Sequence, residues 1–223
     1  MATAALADDC IVLLHGLGRS AHSMRSLEAA LEDEGYRVVN VDYPSRKHSI
    51  DELSKLAVEA GLSPCRSSSV QAIHFVTHSL GGILVRQYFA HHELEALGRV
   101  VMLAPPNGGS EIVDRLRDVP GVGLVIGVAG AQLGTGPDAV PVSLGAVSFS
   151  VGVIAGTKSV DPIFSRYLPN PHDGKVSVAR TKVEGMTDFI EVEASHAFIM
   201  HDEEAIRQTI AFLSAGEFVH DSR

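Results

Sequence analysis

Cysteine is nearly absent: Cys10 and Cys65 are the only two in 223 residues, and they form no C-x-x-C pair. They are too few for a disulfide scaffold or a cysteine-ligated metal cluster, and the expectation is two reduced thiols in a cytosol. Cationic side chains are also scarce, with 18 Lys and Arg against 27 Asp and Glu, a formal charge of −9. Such a field repels nucleic acid and anionic lipid headgroups, which excludes a polyanionic partner. Long unbroken apolar runs are missing as well. From Val119 to Thr157 the sole charge is Asp138, but Pro120, Pro137, Pro141 and several glycines interrupt the stretch before it reaches membrane-spanning length. No stable membrane insertion is expected. Residues 1–10 have no basic leader, and Asp8 and Asp9 break their apolar character. This reads as no secretion signal and a cytoplasmic placement. No internal repeat or low-complexity linker divides the chain.

What is present is ordinary for one globular domain: 45% hydrophobic and 20% charged residues, enough to bury a substantial core. Composition fixes no oligomeric state. Short apolar runs alternate with helix-period segments, the pattern of parallel strands joined by crossover helices. The expected strands are Cys10–Leu14, Arg37–Asp42, Ala72–Thr77, Val100–Leu103, Phe149–Ala155 and Asp188–Val192. Helical spacing links Met24, Leu27, Ala30 and Leu31. It links Leu53, Leu56 and Ala57, and then Ile83, Leu84 and Phe89. A closing helix carries Ala205, Ile206, Ile210, Phe212 and Leu213 behind the acids Asp202–Glu204, which suit a helix N-terminus. The connection from Pro105 to Ser148 is longer than a strand-helix junction needs and reads as a lid, with the alternative that it plugs the flank of the core.

Ile73 to Val85 passes from strand residues through a turn, with Ser79 at the corner and Gly81 and Gly82 making room for strand and helix to approach. A serine at such a corner projects beyond the carboxyl edge of the sheet. The helix that follows offers unpaired N–H groups, so the Leu80 N–H can stabilise an oxyanion beside the nucleophile. The alternative is an ordinary polar serine on a glycine-rich strand-helix turn, a kind of turn that can also hold phosphate. His78-Ser79-Leu80-Gly81-Gly82 resembles the nucleophile elbow of α/β-hydrolase-fold lipases and esterases, and the resemblance extends over nearly the whole chain. Thr77 departs from the G-x-S-x-G pattern, standing where the pattern has a glycine.

The resemblance implies an α/β-hydrolase fold: a mostly parallel sheet of about six strands flanked by helices, with residues 1–223 as one domain and 105–148 as its lid-like insertion. Ile11-Val12-Leu13-Leu14-His15-Gly16-Leu17-Gly18 is similar to the HG motif after the first core strand of such lipases, and makes the Leu17 N–H the second oxyanion donor. A strand-Gly-x-Gly turn also occurs in nucleotide-binding folds, but no acidic G-x-G-x-x-G unit follows here. His15, at a strand end, reads as a structural hydrogen-bonding histidine. Ala194-Ser195-His196 follows the last strand, which places His196 as the general base. His201, His91, His92 and His220 read as capping or surface residues, and the adjacent pair His91 and His92 makes no metal site.

Asp173, in Pro171-His172-Asp173-Gly174-Lys175-Val176, resembles the "DG-V" loop of bacterial lipases and is the expected acid; Asp161, followed by Pro162, is the runner-up and reads as a turn. Leu103-Ala104-Pro105-Pro106-Asn107-Gly108-Gly109-Ser110 resembles the P-P-x-x-G-S stretch that precedes the lid. The strand and HG motif begin within about ten residues of Met1, which is similar to a near-minimal member with a shortened first portion.

The implied activity is a serine carboxylesterase or lipase acting through Ser79, Asp173 and His196 on small or lipid-like esters with apolar acyl groups. No step needs a metal or organic cofactor. The same residues fit a thioesterase or acyltransferase, and a silent binding module of the same fold is the third possibility.

Overall fold

The computed structural model describes residues 9–66, 70–117, 119–162 and 164–220. Among these, the chain forms a six-stranded parallel sheet, β1 (Cys10–Leu14), β2 (Arg37–Val41), β3 (Ile73–His78), β4 (Leu97–Leu103), β5 (Val151–Gly156) and β6 (Asp188–Val192), in the order β2-β1-β3-β4-β5-β6. All five residues of β1 are buried because its side chains feed two cores in alternation. Cys10, Val12 and Leu14 face α2 (Ile50–Cys65) and α3 (Leu80–Phe89). Ile11 and Leu13 face α1 (Arg25–Asp33) and α8 (Glu203–Ala215), the helix that follows the short α7 (Val178–Thr181) in the chain.

The expected helices form, with one correction. Leu53 and Ala57 are buried in α2, but Leu56 is 44% exposed and lies on its outer side. α2 starts on a capping box in which Ser49 Oγ accepts from the Glu52 N–H and the Glu52 carboxylate accepts from the Ser49 N–H. Asp202 caps α8 by accepting from the Ala205 N–H. The reading of 105–148 as one long connection is refined: it contains α4 (Glu111–Leu116), α5 (Val122–Ala131) and α6 (Val140–Ser143). α5 breaks at Gly127, whose φ of 68° puts it in the left-handed region; a Cβ there would lie 2.2 Å from the Arg46 carbonyl oxygen.

The expectation of two reduced thiols is overturned. Cys10 and Cys65 are joined by a disulfide across 55 residues of sequence. Packing of α2 on β1 brings the end of the helix beside the start of the strand, a proximity that sequence spacing does not report. The cysteines therefore no longer argue for a reducing compartment. Among the described residues, no helix is long and apolar enough to cross a membrane.

Candidate active site

The strand order places the site. β2 lies to one side of β1 and β3 to the other, so the loops leaving β1 and β3 diverge to opposite faces and open a crevice at the carboxyl edge. His15 to Arg19 leave β1 on one side of that crevice, and Ser79 leaves β3 on the other.

Ser79 sits at φ 52° and ψ −117°, left-handed backbone that a non-glycine residue adopts at a cost. Two main-chain hydrogen bonds hold it there. The Ser79 N–H donates to the Leu103 carbonyl at 2.9 Å, and its own carbonyl accepts from the Gly82 N–H at 3.0 Å. Two glycines give the bend its room: a Cβ on Gly81 would stand 2.6 Å from the Leu14 carbonyl oxygen, and one on Gly16 would stand 2.7 Å from His78 Nδ1. Thr77 fits where the family pattern has glycine because it remains within β3, fully buried, rather than in the turn itself.

His196 arrives from the loop after β6, and its ring joins two groups far away in sequence. Its Nε2 lies 3.0 Å from Ser79 Oγ, and its Nδ1 lies 2.7 Å from Asp173 Oδ2. The Asp173 carboxylate is buried, and its Oδ1 accepts from the N–H groups of Lys175 at 2.9 Å and Val176 at 2.8 Å. Gly174, at φ 98°, turns the chain so that these donors face back toward Asp173. The Asp173 carbonyl accepts from the His196 N–H at 3.0 Å, tying the two loops together by main chain as well. With Nδ1 donating to a carboxylate, Nε2 is the nitrogen left to accept a proton from Ser79.

Asp161, the other acid considered, is also at the cavity, but its carboxylate has different work. One oxygen meets Lys175 Nζ at 2.9 Å and the other accepts from the Phe164 N–H at 2.9 Å. Leu17 lines the cavity, with Gly18 at φ 68° supporting the turn behind it. Leu80 is the first residue of α3, where helix geometry leaves its N–H without an intrahelical acceptor.

His15 is fully buried and stacks on Tyr43 with ring centroids 4.0 Å apart, while its Nε2 accepts from the Tyr43 N–H. Burial holds its imidazole below the ordinary histidine value. His201 meets Ser26 Oγ, His220 pairs with Asp188, and His92 stacks on Tyr88. Among the described residues, no group of three or more His, Cys, Asp or Glu is arranged to hold a metal ion.

One residue that sequence reasoning passed over is His78. It is buried beside the serine, its Nε2 donates to the His196 carbonyl at 2.9 Å, and its ring centroid is 5.0 Å from that of His196. Burial first, and then the neighbouring His196, hold His78 well below the ordinary imidazole value, so it stays a neutral donor. Its place directly before Ser79 was the available signal.

Ser79 and His196 open onto a cavity of about 500 Å³, in the range of small-molecule sites. Its walls are largely apolar, with Ile112, Val113, Leu116, Ile126 and Leu133 supplied by the 105–148 segment. Arg19 stands at the rim and donates to the Ala197 carbonyl at 3.1 Å.

The chain is similar in fold to the mature form of the lipase BlEst2 of Bacillus licheniformis, with a TM-score of 0.74 and 18% identity over 96% of this chain and 93% of that one. The propeptide form of the same lipase is matched over 52% of its chain. A metagenomic carboxyl esterase aligns with a TM-score of 0.71 and 18% identity, over 86% of this chain and 66% of that one. An esterase of Pyrococcus furiosus aligns with a TM-score of 0.64 and 18% identity, over 93% and 82%. No curated relative matches the chain in sequence. At these identities the structural likeness is one of fold. A family model described as the alpha/beta hydrolase family matches residues 11–174, which is more than half of the chain. With its parallel sheet and strand-turn-helix bend, the chain belongs to the alpha/beta hydrolase family.

Proposed function

We propose that the protein is a serine carboxylesterase or lipase whose nucleophile is Ser79, with His196 as general base and acid and Asp173 as the group that orients it. The observation that carries this reading is the continuous chain from Ser79 Oγ to His196 Nε2 and from His196 Nδ1 to Asp173 Oδ2, at 3.0 and 2.7 Å, opening on an apolar cavity.

In this reading His196 Nε2 takes the Ser79 proton as Oγ bonds to the ester carbonyl carbon, and Asp173 stabilises the resulting imidazolium. The carbonyl oxygen becomes an oxyanion facing the N–H groups of Leu17 and Leu80. Collapse breaks the bond to the alkoxy oxygen, which leaves as alcohol with the proton from His196. A water molecule that loses its proton to the same nitrogen then attacks the acyl-enzyme, and the carboxylic acid departs as Ser79 recovers its hydrogen. The cavity walls favour an apolar acyl group, because water excluded around the ester strengthens every interaction with the developing charge. The whole chain serves as one hydrolase domain, and the 105–148 segment roofs the acyl side of the cavity as a cap.

The test is turnover of p-nitrophenyl esters from acetate to dodecanoate by the wild type and by Ser79→Ala. Wild-type turnover with a preference for acyl chains longer than acetate, reduced about 10⁴-fold or more in Ser79→Ala, is the expected result. Undiminished turnover in the variant would remove Ser79 from the role.

A further inference from the structure

α3 carries a buried cation that the proposed chemistry leaves unused. Arg86 is 4% exposed and lies two helical turns after the serine. Among the described residues, each of its hydrogen-bond partners belongs to the 105–148 segment. Nη1 donates to the Asn107 carbonyl at 3.0 Å and to Asn107 Oδ1 at 3.1 Å, and Nη2 donates to the Gly145 carbonyl at 2.6 Å. Its Nε is buried with no hydrogen-bond partner among the described residues. None of these acceptors is a carboxylate, and burial lowers the guanidinium to about 10. Placing a cation there without a counter-ion is expensive, and a packed apolar side chain would fill the same space at less cost.

The two anchor points explain what the guanidinium does that an apolar side chain cannot. Asn107 lies two residues into the segment and Gly145 lies three residues before its end, so one planar fork grips both stems where they leave the sheet. Asn107 passes the link on, its Nδ2 donating to the Thr181 carbonyl at 2.8 Å. Between the stems lie Ile112, Val113, Leu116, Ile126 and Leu133, which wall the cavity. The other end of α3 begins at Ser79. A single helix therefore holds the nucleophile at its start and the roots of the cavity wall near its finish.

We propose that Arg86 is a positioning residue for substrate selection: by clasping both stems of the 105–148 segment to α3, it sets the distance between the apolar wall and Ser79 and so fixes the acyl length the cavity accepts. The part of this inference that concerns acyl selection rests on the ester-hydrolase reading; the clasp itself does not.

The experiment compares wild type with Arg86→Lys, which keeps the charge but lacks a fork that reaches both stems, and with Asn107→Ala, which removes one acceptor and leaves Arg86 in place. Two readouts are taken: kcat and KM for p-nitrophenyl acetate and octanoate, and the rate at which thermolysin cuts between residues 107 and 145 of the native protein without substrate. The expected result for both variants is an octanoate-to-acetate ratio of kcat/KM lowered at least tenfold, chiefly through KM for octanoate, with cleavage at least fivefold faster. Equal losses on both esters would reduce Arg86 to a merely structural role and overturn the selection claim, and unchanged cleavage in both variants would overturn the clasp. If the wild type hydrolyses neither ester, the ester-hydrolase reading and the selection claim fail together, while the cleavage rates still decide the clasp.

Discussion

Ser79, His196 and Asp173 carry different burdens, and the contacts around each say which substitution is informative. Asp173 is the acid whose carboxylate meets His196 Nδ1, whereas Asp161 holds Lys175 and the Phe164 N–H at the cavity wall. Asp173→Asn is expected to lower kcat by about 10⁴, because an amide in place of the carboxylate favours the wrong imidazole tautomer. Asp161→Asn is expected to change kcat by less than about threefold, since it touches the wall and not the imidazole proton relay. Steady-state kinetics on one ester distinguish the two, and equal losses would contradict the assignment. The choice between these acids was legible only as chain order and a glycine after the aspartate, because a turn-forming Asp and a His-orienting Asp look alike in sequence. What separates them is the fold of residues 171–177, which turns the N–H groups of Lys175 and Val176 onto Asp173. His78 was harder to foresee, because its value lies in reaching a main-chain carbonyl 118 residues away.

Among the elements, the bend between β3 and α3 depends most on side-chain size. In sequence Gly81 and Gly82 are equivalent as sources of room; the structure separates them. A Cβ on Gly81 would meet the main-chain oxygen of Leu14 at 2.6 Å, whereas one on Gly82 would meet Met102 Sδ at 3.2 Å and side-chain atoms of Pro105 and Thr77 at 3.3 Å. Gly81→Ala is therefore expected to destabilise the protein by about 1–3 kcal/mol and to slow fluorophosphonate labelling of Ser79, because β1 and α3 must move apart at the site. Gly82→Ala costs less, since side chains yield more readily than backbone. Urea denaturation of both variants checks the order, and the reverse ranking would contradict it.

Strand cores are legible in the sequence, Cys10–Leu14 and Asp188–Val192 residue for residue, while several strand ends are not. β4 begins at Leu97, three residues before the expected Val100, because Gly98 and Arg99 carry no apolar signal. Gly98 belongs in that strand for a tertiary reason: the His74 ring occupies the space a Cβ would need, at 2.6 Å. Likewise, the bend of α5 at Gly127 is imposed by contact with Arg46, distant in sequence.

Across the whole molecule, three histidines, His15, His74 and His78, are buried and held below the ordinary imidazole value, in each case chiefly by burial. The unfolded chain takes up protons on these residues near pH 6.5, where the folded chain resists them. The unfolded state then binds more protons, so stability rises with pH and is lost as pH falls from about 6.5 toward the folded values. The urea midpoint is expected to drop between pH 7 and pH 5, and to drop less in His74→Gln, which removes one such group at the end of the sheet remote from Ser79. A midpoint that is flat or rises on acidification would contradict this. His74 suits the test because its Nδ1 accepts from the Arg99 N–H and its Nε2 faces Asp9, contacts that lie outside the cavity. The overall architecture was the most legible scale, since alternating apolar runs and helical periods specify a parallel sheet without knowledge of any contact. The Cys10–Cys65 bridge was the least legible, because only the packing of α2 against β1 brings the two ends together.

The proposed activity requires the Ser79 oxygen, activated by His196, to attack an electrophile bound in the cavity. Its most direct test is peptide mapping by mass spectrometry after reaction with an alkyl fluorophosphonate. The expected result is one adduct per chain, located on Ser79, with labelling at least a hundredfold slower in His196→Ala. An adduct on another residue, or labelling of Ser79 at the same rate without His196, would contradict it.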